Sequence, residues 1–528
     1  MTENQEKNDD KKYYLKVGKA SDLVVFKERL IYRFFEMLPG ILSWGIFFLT
    51  VFLSWQKPIW IAIFVIFFVI YWFCRSVYFS LHLKAGYKKM KRQEEINWLD
   101  ELKKLKIESC KLKIDWQDVY HLIVLPTYKE PLEIIEETFL ALLATDYPKE
   151  KMIVVLACEE RAKEFSEKVA KEIEKKFAKK FFRFLITWHP ANLPGEIPGH
   201  GSNDAWASKK AKELIIDPLK IPYQNIIVSS FDIDTRVFPK YFSCLTWHYL
   251  TAENPLRTSF QPIPLYLNNA WEAPFFSRVF SFSSSFWHTL NQERPEKLIT
   301  FSSHSMPFQA MVDVGFKQTN IVSDDSRIFW QCFFYYDGDY RVQPLYYPVS
   351  MDANVAKNLF KTAVNIYKQQ RRWAYGVGEI PYFLFGFLKN KKIPLKKKLS
   401  LGFEIIESHF SWATAPFLIF LLGWLPLILG GPKFSQTVLS YNLPKITSQI
   451  LTISMSGLVF SIYLSFLLLS STHMKSEKKI KYFVFALGWL LFPLMMIFFS
   501  ALPALDAQTR WLLGRYMDFW PTEKIRKS

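Results

Sequence analysis

Two apolar windows near the start of the chain, residues 38–55 and 58–74, carry no charge and are separated by a short stretch whose only cation is Lys57. Each approaches the ~20 apolar residues that a helix needs to cross a hydrocarbon core. They are expected to form a tight membrane hairpin. Three further windows, 412–429, 446–470 and 482–505, raise the expected spans to five, two before and three after a long polar middle. Membrane segments account for a composition that is 50% apolar and 17% aromatic, more than an ordinary soluble enzyme requires. The expected order is a cytosolic tail (1–37), the hairpin (38–75), a connector (76–115), a soluble domain (116–385), a basic interfacial segment (386–411), a second membrane region (412–505) and a final tail (506–528).

A net charge of +18 would suit a nucleic-acid partner, but the lysines cluster at 84–92, 390–398 and 475–481, beside apolar spans and without interleaved aromatics. The expected partner is the membrane surface, not nucleic acid. The positive-inside rule places these flanks in the cytoplasm, and with them the soluble domain of a multi-pass protein of the cell (inner or plasma) membrane. Residues 1–10 are acidic and polar, without the basic start and small-residue cleavage site of a signal peptide. The five cysteines, at 74, 110, 158, 244 and 332, show neither C-x-x-C spacing nor a pairing pattern, so neither a zinc site nor a disulfide framework is expected.

Within the middle, short apolar runs at 121–125, 152–157, 183–188 and 225–230 are each followed by a helix-like segment. The segment from about 161 to 180 places Phe165, Val169, Ile173 and Phe177 on one stripe, as a helix covering a sheet requires. Strand-helix alternation implies a mostly parallel, Rossmann-like α/β sheet, in which ligands bind beyond the carboxyl ends of the strands.

Residues at those ends carry the chemistry. The first run leads into Pro126, Thr127, Tyr128, Lys129 and Glu130, and the second into Cys158, Glu159 and Glu160. Either set faces a nucleotide or, on the plainer view, ends a strand and opens a helix. The fourth run leads into Asp232-Ile233-Asp234, where alternation on an extended backbone would aim both carboxylates at one Mg²⁺ or Mn²⁺. Asp337-Gly338-Asp339 has the same spacing but reads as a tight turn between strands. The stretch 194–204, with Gly195, Gly199 and Gly201, matches no phosphate-binding motif and reads as a flexible loop opening a helix near Asn203. Ser323-Asp324-Asp325 precedes a helical pattern, where an ordinary N-terminal cap is the default. Gln369, Gln370, Arg371, Arg372 and Trp373 continue a helix whose default is a solvated basic face.

In this order, and with membrane spans on either side, FDID, SDD and QQRRW resemble the D-x-D, T-E-D and Q-x-x-R-W signature of family 2 glycosyltransferases of the cellulose and hyaluronan synthase type. The resemblance covers roughly residues 116–380. It implies a GT-A nucleotide-sugar domain in which Thr127, Tyr128, Glu130 and Glu159 surround the nucleoside, and Asp232 and Asp234 hold diphosphate and metal. Asp325 would be the general base. Gln369, Arg372 and Trp373, with Asp324, Ser303 and His304, would bind diphosphate and acceptor. Departures are Ser323-Asp324 for Thr-Glu, Cys158-Glu159-Glu160 for the usual aspartate pair, and FSSHS at 301–305 for FFCGS.

The stretch 519–524 resembles the F-x-V-T-x-K gating loop of cellulose synthases, which would give Phe519, Thr522 and Lys524 a place over the nucleotide. Five simple spans from a cytosolic N-terminus nevertheless leave the C-terminus outside. Arg510, Arg515, Lys524, Arg526 and Lys527 favour the cytosol, and Pro493 and Pro503 suit a broken or re-entrant last segment. Otherwise the tail is external and the motif coincidental. The resemblance implies transfer of a sugar from a nucleotide donor, expected to be a UDP-sugar, with inversion onto a growing polysaccharide, and coupling to its export is a further expectation. Transfer of one sugar to a lipid carrier is the nearest alternative. A transporter or an inactive binding protein is more distant, because the spans lack mid-membrane polar residues and all three aspartates are present.

Overall fold

The computed structural model describes residues 12–470 and 479–521. The acidic stretch 1–10, part of the basic run 475–481, and Thr522 and Lys524 lie outside the described residues. The four anticipated strands are present as β1 (Tyr120–Pro126), β2 (Met152–Glu159), β3 (Arg183–His189) and β4 (Ile226–Ser230). They lie side by side in the order β3-β2-β1-β4, all parallel. Side chains alternate between two cores: Leu122, Val124, Ile153 and Val155 face one, and Ile123, Leu125, Val154 and Leu156 the other. Burial on both faces is why these strands read as unbroken apolar runs.

Four more strands extend the sheet: β5 (Arg236–Val237), β6 (Thr258–Leu265), β7 (Ser305–Pro307) and β8 (Arg341–Ser350). The full order is β3-β2-β1-β4-β7-β6-β8-β5. β7 runs antiparallel to both β4 and β6, β8 is parallel to β6, and β5 is antiparallel to β8. The α/β domain between apolar helices is as expected, but its sheet is mixed, with its parallel character concentrated in the first half. The second half is hard to anticipate because β6 and β8 each contain two prolines, which lack a ladder donor and argue against a strand. A register shift between Gln261 and Ile263 accommodates one of them.

Around this domain, four helices are long and apolar enough to cross a membrane: Phe26–Gln56, Pro58–Glu95, Val438–Leu469 and Phe483–Leu513. A fifth candidate is the pair Leu395–Phe420 and Leu422–Leu429, bent by 48°. The first two begin earlier or end later than their apolar windows, so the helix runs on from membrane into tail and connector. Residues 386–411 are likewise no separate segment, since Leu395–Phe420 is one helix.

Phe483–Leu513 touches the soluble domain along its whole length. Phe485 meets Phe282 at 5.5 Å between ring centroids, Phe499 meets Phe276 at 5.9 Å, Arg371 Nη1 donates to Asp506 at 2.9 Å, and Trp511 stacks on Tyr375 at 5.0 Å. Both ends of this helix therefore lie against the domain. Pro493 and Pro503 begin the segments on either side of a π-helical turn at Ile497–Ala501. After Gly514 the chain returns along the domain, where the Met517 amide donates to the Tyr375 hydroxyl at 2.9 Å.

Two imidazoles sit deep behind the sheet. His121 is bonded to Thr246 (Nε2 to Oγ1, 2.8 Å) and His248 accepts from Gln343 at 2.9 Å. Burial lowers their pKa values from 6.5 to about 3 and about 4. Above pH 6.5 neither imidazole is protonated in either state; below it the unfolded chain binds protons that the native one refuses. Stability should fall as pH drops from 6.5 toward 4, by up to ~1.4 kcal/mol per pH unit for each ring. Melting temperatures in detergent across that window are expected to fall less steeply for His121→Asn than for the unaltered protein.

Candidate active site

β1, β2 and β4 are parallel neighbours, so their carboxyl ends lie along one edge of the sheet. At β1, Glu130 turns back, its Oε2 accepting from the Tyr128 amide at 2.7 Å and the Thr127 hydroxyl at 2.8 Å. Beside it Glu159, at the end of β2, is paired with Arg161 (Nη2 to Oε1, 3.2 Å), and the Arg161 guanidinium lies 4.4 Å from the centre of the Tyr128 ring. Thr127, Tyr128, Glu130 and Glu159 thus form one contiguous wall.

Asp232 and Asp234 do not continue β4 as an extended segment. The Thr235 amide donates to Asp232 O at 2.8 Å, closing a turn, so their side chains are held by different neighbours. Asp232 accepts from Ser302 Oγ at 2.6 Å, and its other oxygen lies 3.6 Å from His200 Nε2. Asp234 is buried and accepts from the Asp352 amide at 3.1 Å. The 301–305 stretch supports this turn from beneath: Ser303, at a φ of 65°, pairs its hydroxyl with Thr235 Oγ1 at 2.9 Å. His304 is fully buried, with Nδ1 3.0 Å from Phe301 O and 3.7 Å from Asp325 Oδ1. Burial, reinforced by nearby Lys317, pulls its pKa down and keeps it neutral. His304 therefore sits under the carboxylates and does not line an open acceptor surface.

SDD opens the helix Asp324–Tyr335, but Ser323 does not cap it. Its hydroxyl donates instead to Glu379 Oε1 at 2.8 Å, and Glu379 is bonded by buried Arg327 at 2.7 Å. Asp324 is buried, and its Oδ2 meets His200 Nδ1 at 3.0 Å and Lys317 Nζ at 2.9 Å. Burial opposes ionisation here, yet Lys317 and His200 outweigh it and hold this carboxyl well below the usual carboxylate range. His200 also pays for its burial, but the Asp324 and Asp325 charges push its pKa up to about 9. Asp325 is partly exposed, with Oδ1 3.0 Å from Lys317 Nζ.

The helix Leu359–Ala374 carries QQRRW along the other side of the cleft. The charges of Asp232, Asp324 and Asp325 all act on Arg372, whose guanidinium stacks 4.7 Å from the Phe519 ring centre. Gln369 accepts from Asn354 at 3.4 Å, and Trp373 packs with Tyr266 at 6.5 Å between centroids. Phe519 rests on Gly199, where a Cβ would lie 2.5 Å from its ring. The tail thus bridges the 194–204 stretch and the QQRRW helix.

Two assignments need correction. The 194–204 stretch is a wall of the site: its helix begins at His200, and Gly201 is needed because a Cβ there would lie 2.5 Å from Asp324 Cβ. Asp337-Gly338-Asp339 is a turn, but between a helix and β8, with Asp337 at a φ of 54° and bonded by Asn390 Nδ2 at 2.9 Å. Sequence reasoning also missed His200 and Lys317. A histidine beside two glycines was a usable signal; Lys317 had none.

His200, Asp324 and Asp325 bring ligand atoms within 4.8 Å of one another, a spacing that suits a metal. The Lys317 ammonium already bonds two of them. The better-fitting donor for a divalent cation is Asp232, a hard carboxylate, whereas the facing His200 Nε2, 3.6 Å away, belongs to an imidazole that its aspartate neighbours keep protonated and is a charge partner, not a ligand.

The chain matches no protein family and no curated protein. Among solved structures it is similar to the mannosyltransferase PcManGT from Pyrobaculum calidifontis in complex with GDP-Man and Mn²⁺, at 14% identity and a TM-score of 0.41, over 78% of this chain and 100% of that one. It is also similar to S. aureus TarS 1–349 in complex with UDP-GlcNAc, at 12% identity and a TM-score of 0.34, over 68% and 95% of the two chains. GalNAc-T7 with UDP, GalNAc and Mn²⁺ follows at 9% identity and 0.31, over 55% and 58%.

The close approach at Gly201 is testable. Gly201→Ala should force Asp324 off Lys317 and His200 and cost about 1–3 kcal/mol, as overpacking does. Gly45→Ala, whose Cβ would meet nothing within 4 Å, is the matched control and should melt no lower than the unaltered protein.

Proposed function

We propose that this protein transfers a sugar from a nucleotide diphosphate sugar, a UDP-sugar in the first instance, to an acceptor hydroxyl with inversion at the anomeric carbon. The observation that carries the reading is the convergence of three separated motifs, FDID, SDD and QQRRW, on one cleft at the carboxyl ends of parallel strands. Their resemblance to the family 2 signature supplies the roles, and a GT-A domain is the corresponding fold.

Thr127, Tyr128, Glu130 and Glu159 bind the nucleoside, with the Tyr128 ring and Arg161 offering a flat cationic face. Asp232 would hold a Mg²⁺ or Mn²⁺, with buried Asp234 fixing the turn that presents it. Such an ion supplies Lewis-acid neutralisation of the departing diphosphate. Arg372 faces the same charge and donates to it from the opposite side, together with Gln369. Trp373 offers an apolar ring to the acceptor sugar.

Asp325 is the general base. Its carboxylate takes the proton of the acceptor hydroxyl as that oxygen bonds to the anomeric carbon, and the bond to the diphosphate breaks with its electron pair leaving on the nucleotide. One displacement converts an α-linked donor into a β-linked product. The tail supports repeated transfer to a growing glycan: Phe519 packs on Gly199 and under Arg372, so it closes the cleft where Thr522 and Lys524 follow in sequence. Lysines beside the membrane helices favour a domain on the cytoplasmic face of the cell membrane, with lipid around the helices.

Asp325→Asn keeps the shape but cannot accept the proton, so transfer should fall about 10²- to 10⁴-fold while donor binding survives. Radiolabelled UDP-sugars supplied to purified protein and to inverted vesicles read this, and separating organic-soluble from high-mass label reads the product. Normal turnover by Asp325→Asn would remove the base assignment, and lipid-extractable single-sugar product alone would replace the polymer with a lipid-linked one.

The metal assignment has an internal control. Titration of UDP with and without Mn²⁺ should show the metal-dependent gain lost in Asp232→Ala and Asp234→Ala and kept in Asp337→Ala. Equal losses in all three would show that the FDID turn holds no ion.

A further inference from the structure

Lys317 belongs to no motif, and the reaction above makes no use of it. Its side chain has no exposed surface, yet it carries a charge: burial works against the ammonium, but Asp204, Asp324 and Asp325 raise its pKa well above the ordinary value. Two N–H donors bond carboxylate oxygens, Asp324 Oδ2 at 2.9 Å and Asp325 Oδ1 at 3.0 Å, and a third carboxylate, Asp204 Oδ2, lies 3.0 Å away as an ion pair without hydrogen-bond geometry. A lysine ammonium in water turns freely; this one is held by two hydrogen bonds and a third charge. The backbone is bent to deliver it there, since both Gly315 and Phe316 adopt positive φ, 79° and 72°. For an aromatic residue that conformation is unfavourable and persists only where surrounding contacts impose it.

The three carboxylates are not equivalent. The Asp204 side chain is 0% exposed and that of Asp324 6%, whereas that of Asp325 is 26% exposed. Asp204 lies on the far side, on the helix His200–Ala211, and its second oxygen accepts from Ser208 at 3.2 Å. Asp325 gives its Oδ1 to Lys317, and its backbone oxygen accepts from Thr300 at 2.5 Å.

We propose that Lys317 is the positioning residue for the base: by holding Oδ1 of Asp325 it presents Oδ2 alone to the acceptor hydroxyl, while Asp204 anchors the ammonium from behind. This rests on the reading of Asp325 as the general base. The competing role is that of a counter-ion that merely makes the buried aspartates tolerable. The two differ in what survives when Lys317 is removed together with its structural partner.

The experiment uses the full-length protein in detergent and measures melting temperature, donor KM and kcat for Lys317→Met, Asp204→Asn and the double variant, with Asp325→Asn alongside. Lys317→Met alone should melt lower, because it leaves buried carboxylates without their cation. Adding Asp204→Asn should restore much of that stability. In the double variant kcat should stay at least tenfold below the unaltered protein with donor KM within about threefold, because Asp325 is no longer held. Full turnover in the double variant overturns the proposal and leaves Lys317 a counter-ion. Should the methionine variants not fold, Lys317→Arg keeps the charge but spreads its donors over a planar fork: a tenfold loss of kcat at unchanged KM supports the assignment, and full turnover overturns it. If Asp325→Asn itself turns over normally, the base reading fails first; if it is slow while the double variant is normal, only the role of Lys317 fails.

Discussion

Carboxylates gathered out of water need a cation among them, and the half of this domain that carries His200 and SDD is organised around that requirement. Asp204, Asp324 and Asp325 come from two helices, and the ammonium of Lys317 is shared by all three. His200 adds a second positive group at 3.0 Å from Asp324. Removing one partner of such a cluster leaves a buried charge uncompensated, a loss of about 3–5 kcal/mol in comparable cases. The glycines at 199 and 201 follow from the same constraint: the His200 helix can approach the SDD helix and the tail only where side chains are missing.

A second buried pair ties this cluster to the membrane region. Arg327 bonds Glu379 at 2.7 Å and the carbonyl of Val17 at 3.2 Å, and lies 3.8 Å from the centre of the Tyr382 ring. One side chain thereby joins the SDD helix, the helix after QQRRW and the segment preceding the first membrane helix. Arg33, from that membrane helix, donates to the carbonyls of Trp511 and Leu512 at 2.7 Å each. The apolar helix Phe26–Gln56 and the SDD helix are thus parts of one packed unit.

What was legible in the sequence was what has a period or a motif. The buried parallel strands β1 to β4 announced themselves as apolar runs, and FDID, SDD and QQRRW, distant in sequence, bring Asp232, Asp324, Asp325 and Arg372 near one another. Strands β6 and β8 were hidden by their prolines. The geometry of FDID was misjudged because a turn, closed from Thr235 to Asp232, is indistinguishable in sequence from continued extension. Ser323 had the composition of a cap but is drawn away by Glu379, a long-range partner that no local pattern reveals. Lys317 illustrates the general limit: an unremarkable lysine acquires its role solely through three contacts, one of them more than a hundred residues earlier in the chain.

The order of these parts along the chain bears on biosynthesis. Asp506, which holds Arg371, and Phe519, which lies beneath Arg372, follow the α/β domain and the other described helices long and apolar enough to cross a membrane. A ribosome therefore completes the sheet, the carboxylate cluster and the QQRRW helix before it makes the residues that fasten that helix and roof the cleft. During synthesis the nascent domain has its carboxylate cluster but lacks the aromatic ring that packs on Gly199 and Arg372. That contact waits on the last stretch of chain, after the preceding apolar helices have all been made.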